Sequence, residues 1–334
     1  MRSKGHSLTF TSLRAGLFWL VLLLGGKGFA ADPGSPYLPD QAPSDQKPGS
    51  VLIYNLYTSD VTSPAIHNTR IAITNTSAMI PVAVHLFFVD GVSRSIADFV
   101  VCLTPNQTIS YETAELDPST EGYILAVAVD RNGLPIVHNF LIGDAFVKYA
   151  SGHQAGLAAM GVAARAMPQM SSLSVAVDLA FDDLQYEQLP AVLAIDNILS
   201  RVSGNDTLVV INRLGGDMGL GATELGPVFG LLYNDVENSH SYTFSSPRTQ
   251  LRYQMTNLMP RTTPRFTTVI PEGRSGWSKL YAVPTAAITG VALTYHPGSL
   301  GAPNAFMGGH NLHHLTRTNA TIRIPVYPIS CFSR

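Results

Sequence analysis

The chain has 334 residues, only 13% of them charged against 46% hydrophobic, and a formal charge of −2. It carries no basic cluster, which argues against nucleic acid or an anionic membrane surface as partner. Glycine (28) and proline (22) are plentiful, a composition suited to many short strands joined by turns.

Arg2, Lys4 and Arg14 precede an apolar run at residues 15–26, and Gly28-Phe29-Ala30 follows it. That pattern predicts a secretory signal over residues 1–30, cleaved after Ala30. The run is shorter than the roughly 20 residues that span a bilayer, and no later stretch qualifies, so no transmembrane anchor is expected. Cleavage removes four positive charges and no negative ones, taking the charge from −2 to −6. The expected location is therefore the periplasm, the cell surface or the medium of a bacterium. Residues 31–49, dense in Pro, Ser, Asp and Gly, predict a disordered tether.

From Ser50 the text becomes strand-like and repeats itself. "VLIYNLYTS" at 51–59 aligns with "VLAIDNILS" at 192–200, and "NTRIAITN" at 68–75 with "NDTLVVIN" at 205–212. "HLFFVD" at 85–90 answers "GLLYND" at 230–235, and "GYILAVAV" at 122–129 answers "GWSKLYAV" at 276–283. "SGHQ" at 151–154 answers "GGHN" at 308–311, and "SLSVAV" at 172–177 answers "TIRIPV" at 321–326. Six blocks in one order describe a domain-sized repeat. Ile71 and Ile73 alternate with smaller or polar residues, and Asp90-Gly91 and Asn132-Gly133 are hairpin dipeptides. The expectation is an all-β protein of two tandem antiparallel immunoglobulin-like β-sandwich domains, residues 50–182 and 183–334. Asp182 and Asp183 would lie in a solvated connector. One short Ala-rich helix is predicted over residues 154–167, with Leu157, Met160 and Ala164 at helical spacing and Pro168 closing it. Gly156 and Gly161 each cost such a helix about 1 kcal/mol.

The blocks "NTRIAITNTS", "VAVHLFFVDG", "CLTPNQTISY", "GYILAVAVD" and "GGHNLHHL" resemble those of uncharacterised exported bacterial proteins. The first three also resemble immunoglobulin-like modules of bacterial surface proteins. The resemblance implies fold and compartment and carries no catalytic residue.

Three histidines stand close together in "GGHNLHHL". On a helix His310, His313 and His314 would share a face and could hold zinc or copper. No Asp or Glu lies between Glu272 and Arg334 to complete such a site. The competing reading takes Gly152-His153 and Gly309-His310 as equivalent structural turns, glycine supplying the backbone conformation and imidazole bonding a backbone group. Cys102 and Cys331 are an even pair that an oxidising compartment would allow to bond. Asp90, Asp130 and Asp144 sit beside turns, where turn chemistry or a calcium site would each explain them. Tyr123 and Trp277, equivalent in the repeat, are read as packing rings. No nucleophile elbow or zinc-protease helix motif is present. The functional expectation is a non-enzymatic exported protein, without a cofactor, that binds or scaffolds an envelope protein or polysaccharide. The alternative is a metal-binding protein or metal-dependent enzyme built on His310, His313 and His314.

Overall fold

The computed structural model describes residues 35–36, 42–167, 175–296 and 307–331. The expected signal over residues 1–30 lies outside them. In chain order the strands are β1 (Ser35–Pro36), β2 (Val51–Thr58), β3 (Asn68–Asn75), β4 (Val82–Asp90), β5 (Ile96–Leu103), β6 (Thr108–Glu112), β7 (Glu121–Val129) and β8 (Leu141–Lys148). Then come β9 (Gln154–Ala158), β10 (Met160–Val162), β11 (Ala176–Phe181), β12 (Leu189–Leu199), β13 (Asp206–Arg213), β14 (Gly216–Asp217), β15 (Gly221–Ala222) and β16 (Gly226–Asn234). The last are β17 (Ser239–Ser246), β18 (Gln250–Gln254), β19 (Ser275–Ala282), β20 (Ile288–Tyr295), β21 (Gly308–Asn311), β22 (His313–Thr318) and β23 (Ala320–Pro325). Among the described residues helix is limited to two single turns, α1 (Thr113–Leu116) and α2 (Phe266–Val269). None is long and apolar enough to cross a membrane.

The strands assemble into five small sheets. Sheet I has the order β10-β2-β7-β4-β5, and sheet IV the order β1-β22-β12-β19-β16-β17. Sheet II runs β6-β3-β8-β9, and sheet III runs β18-β13-β20-β21. Sheet V, β11-β23-β14-β15, pairs a strand from the middle of the chain with one near its end. Four of the six aligned sequence blocks occupy matching places, β2 with β12, β4 with β16, β7 with β19 and β3 with β13; residues 151–153 form a turn where 308–311 form β21, and residues 172–174 lie outside the described residues. Even the irregularities match: the pairing of β2 with β7 slips between Tyr54 and Tyr57, and that of β12 with β19 between Ile195 and Ile198. Each slip is a bulge that turns side chains out of the regular alternation.

Burial explains how the sheets stack. Strand β19 alternates strictly between buried and half-buried positions, as a strand with one covered face should. Strand β2 is buried at every position, and β4 and β7 are buried at all but one. Phe87 and Phe88 are adjacent on β4 and point to opposite faces, yet both are fully buried, in different cores. One face of sheet I packs on sheet II through Leu52, Leu86, Ile71 and Val147. The other packs on sheet V through Ile53, Leu125, Leu179 and Ile324. A third core joins sheets III and IV through Val209, Ile211, Leu193 and Leu280.

The chain is thus all-β but not the expected pair of immunoglobulin-like sandwiches. It forms a five-bladed, propeller-like arrangement of small sheets, each blade gathering strands from separate stretches of chain. An immunoglobulin-like sheet would leave one face to solvent, whereas sheet I has both faces covered. The expected junction at 182/183 falls inside one compact unit that spans Pro33–Arg334. Asp183 is no solvated connector, because its carboxylate pairs with the largely buried Arg317.

Two further expectations are corrected. Residues 154–167 hold β9 and β10 rather than a helix. A Cβ on Gly161 would stand 2.3 Å from the Lys47 carbonyl oxygen, so the small residue there serves close backbone approach. The described part of the expected tether is also ordered. Ser44 and Gly161 exchange backbone hydrogen bonds of 3.1 and 2.7 Å, and Lys47 pairs with buried Glu187 at 2.5 Å. Cys102 and Cys331 are joined by a disulfide with Cα atoms 5.7 Å apart.

Burial on both faces of β4 has a measurable consequence. Phe87→Ala and Phe88→Ala should each destabilise the protein by about 3–5 kcal/mol in denaturant melts, the usual cost of emptying a packed phenylalanine site. A near-neutral Phe87→Ala would mean that this face of sheet I is solvated.

Candidate functional site

The histidine segment crosses between two sheets. Strand β21 pairs with β20 in sheet III, setting His310 opposite Ala292, and β22 pairs with β12 in sheet IV, setting His313 opposite Ala194. Between them Leu312 is buried in the core that joins those sheets, and its N–H donates to the Gly290 carbonyl at 2.9 Å. Anchoring this residue breaks the strand alternation, so His310 and His313 come to one side. Their ring centroids are 6.0 Å apart.

The third member of the cluster is Asp196. It sits in the β12 bulge, two residues beyond Ala194, the pairing partner of His313, and the bulge leaves it exposed. His310 Nε2 lies 2.9 Å from Asp196 Oδ1, and His313 Nε2 lies 3.3 Å from Asp196 Oδ2. One ligand atom from each of the three residues falls within 4.8 Å of the others. Burial pushes the Asp196 carboxyl up, but His310 and His313 outweigh it and hold its pKa below the ordinary value.

His314, expected to join the other two, goes elsewhere. Its ring bonds the Pro43 backbone, and burial depresses its pKa to about 4, with Asp45 opposing the shift. The helical spacing that unites all three histidines does not apply to a strand crossing.

The cluster lies in a cleft of about 700 Å³ whose walls include Asp45, Asn55, Ala158, Met160 and His314. These residues come from both repeat halves and from the segment before β2. A line of amides fixes the wall. Asn55 Nδ2 donates to Asn311 Oδ1 at 2.8 Å, while Asn311 Nδ2 donates to Asp45 Oδ2 at 3.1 Å and to the Ala158 carbonyl at 2.8 Å. Behind it, Asn212 Nδ2 donates to the Asn55 carbonyl at 2.7 Å and Gln250 Nε2 to Asn212 Oδ1 at 2.8 Å. Asn55 occupies the β2 bulge and is the repeat counterpart of Asp196. In the first half this position is a buried amide in a structural network; in the second it is an exposed carboxylate facing two imidazoles.

The paired Gly-His elements have likewise diverged. Gly152 has φ +96, and His153 is 1% exposed. His153 Nε2 donates to the Asp206 carbonyl at 3.1 Å, leaving Nδ1 to accept from the Ser151 hydroxyl at 2.9 Å. That is a structural turn joining the two halves. Gly309 and His310 lie in a strand instead, where a Cβ on Gly309 would meet Leu293 Cδ2 at 2.2 Å.

The remaining sequence candidates lie apart from the cleft. Asp90 and Asp130 accept from the backbone N–H groups of Val92 and Asn132, both at 2.8 Å, in local turns. Asp144 is on β8, and burial raises its pKa against the opposing effect of Arg70. Tyr123 is buried in the core, while Trp277 stacks on Tyr233 with centroids 4.4 Å apart.

No family model and no curated protein matches the chain. Among solved structures, a chain of "Cryo-EM Atomic Structure of Broad Bean Stain Virus (BBSV)" aligns over 90% of this chain and 96% of its own, at 9% identity with a TM-score of 0.18. A likeness of that size carries no argument about fold or function.

The two histidines of the Gly-His pair should respond differently to substitution. His153→Ala should cost about 1–3 kcal/mol in melts, as a buried hydrogen-bonding group is lost. His310→Ala, measured in chelator, should change stability by less than about 0.5 kcal/mol, as surface changes do. Equal losses would show that both histidines are structural.

Proposed function

We propose that the protein is an exported, non-enzymatic binding protein of the bacterial envelope or surface, and that the cleft beside β21 and β22 is its ligand seat. The carrying observation is the fixed cleft wall. Asn55, Asn311 and Asp45 are held by one another from three parts of the chain, so their positions do not depend on a ligand. A cavity of about 700 Å³ lies within the roughly 300–1,000 Å³ range of ligand sites. A wall already in place also spares a ligand the cost of ordering it. Export is supported by the basic and apolar patterns of residues 1–30, and an envelope protein or polysaccharide is the partner class expected in that compartment.

N-terminal sequencing of the exported product should start at Ala31; a product that begins at Met1 would remove the export reading. Immobilised wild-type protein should retain an envelope protein or polysaccharide fraction that Ala158→Trp, which places an indole in the cleft, fails to retain. Equal retention by the two proteins would exclude the cleft as the seat.

A further inference from the structure

We propose that Asp196, His310 and His313 bind one divalent transition-metal ion of the zinc or copper class, with a coordination position left open toward the cleft. The proposal rests on the cleft being a binding site and names the ion it holds. The set differs from the three adjacent histidines expected from sequence. His314 is committed to Pro43, and the carboxylate comes from the β12 bulge.

Three features carry it. Zinc bonds imidazole nitrogen and carboxylate oxygen at about 2.0–2.2 Å, so tetrahedral ligand atoms stand roughly 3.3 Å apart. The observed imidazole-to-carboxylate distances of 2.9 and 3.3 Å lie close to that separation, and all three atoms fall within 4.8 Å. Small side-chain adjustments therefore close the set around an ion without moving a strand. Next, His310 Nε2 is shielded from water yet makes no hydrogen bond, although Asp196 Oδ1 is only 2.9 Å away. The ring nitrogen and the carboxylate thus stand close without satisfying one another by a hydrogen bond, which leaves both available to an ion. Finally, the repeat supplies an internal comparison. At the matching sites the first half has Asn55 and His153, each used in structural hydrogen bonds, so metal binding belongs to the second half alone.

Two imidazoles and one carboxylate leave at least one position of a four-coordinate ion to water or a ligand donor. Because the cluster lines the cleft, that position opens onto the space bounded by Asp45 and Asn55.

The full chain would be stripped with chelator and titrated calorimetrically with Zn²⁺, with Cu²⁺ in a parallel arm, and bound metal measured by elemental analysis. The expected result is one ion per chain. Asp196→Asn, His310→Ala and His313→Ala should each weaken binding by at least about 100-fold. Their metal-free melts should match wild type, because all three side chains are exposed or nearly so. His240→Ala, on β17, should bind like wild type. No retained ion, or one equivalent that survives the three substitutions, overturns the proposal. The two readings fail separately: absent metal with Ala158-dependent envelope capture sinks the metal site alone. Bound metal with capture indifferent to Ala158→Trp sinks the cleft as seat of the envelope ligand.

Discussion

Strands β2, β4 and β7 carry apolar side chains on both faces, and a sheet of that kind must be covered twice or lose the burial that stabilises it. Everything else in the architecture accommodates this requirement. Sheet II covers one face. The other is covered by sheet V, whose strands β11 and β23 come from the middle and the far end of the sequence. Because the second cover is assembled from distant segments, the two repeat halves cannot separate into independent bodies. The bond between Cys102 on β5 and Cys331 fastens the same layer, since Cys331 belongs to the core between sheets I and V.

Within this frame the halves share their strand order and the position of a bulge, and the bulge is where they part in chemistry. In β2 the bulged backbone places Asn55 inside, where its Nδ2 and backbone carbonyl bond amides from two other segments. In β12 the same distortion points outward and carries Asp196. The two halves thus share a backbone irregularity and differ in its side chain, a structural amide in one and a surface carboxylate in the other. The strand crossing at Leu312 supplies the matching imidazoles, because an anchored residue between two sheets lets His310 and His313 approach from different directions.

Much of this is legible in the sequence. The strands could be read because Ile71, Ile73 and their counterparts alternate, and four of the six aligned blocks occupy matching strands. The continuous apolar runs of β4 and β7 also carried a signal, that of a sheet covered on both sides, which the tandem-sandwich reading passed over. The segment holding β9 and β10 was misread because alanine and glycine favour a helix or a tight backbone approach, and only the neighbour, the Lys47 carbonyl beside Gly161, decides between them. The cluster was half legible. Three histidines are conspicuous, but their union depended on a helical period that a strand crossing does not have, and Asp196 lies far upstream. The repeat alignment held the missing clue, since "VLIYN" against "VLAID" sets Asn55 opposite Asp196.

The pairings of β1 with β22 and of β11 with β23 join segments that lie far apart in the sequence. Contacts of such long sequence separation form slowly, because the loop entropy must be lost before any contact forms. Without β23, sheet V lacks its central strand and the cover over one face of sheet I is incomplete. Closing this layer is therefore the step with the largest loop entropy to overcome, and it is where folding of the whole unit is expected to be limited.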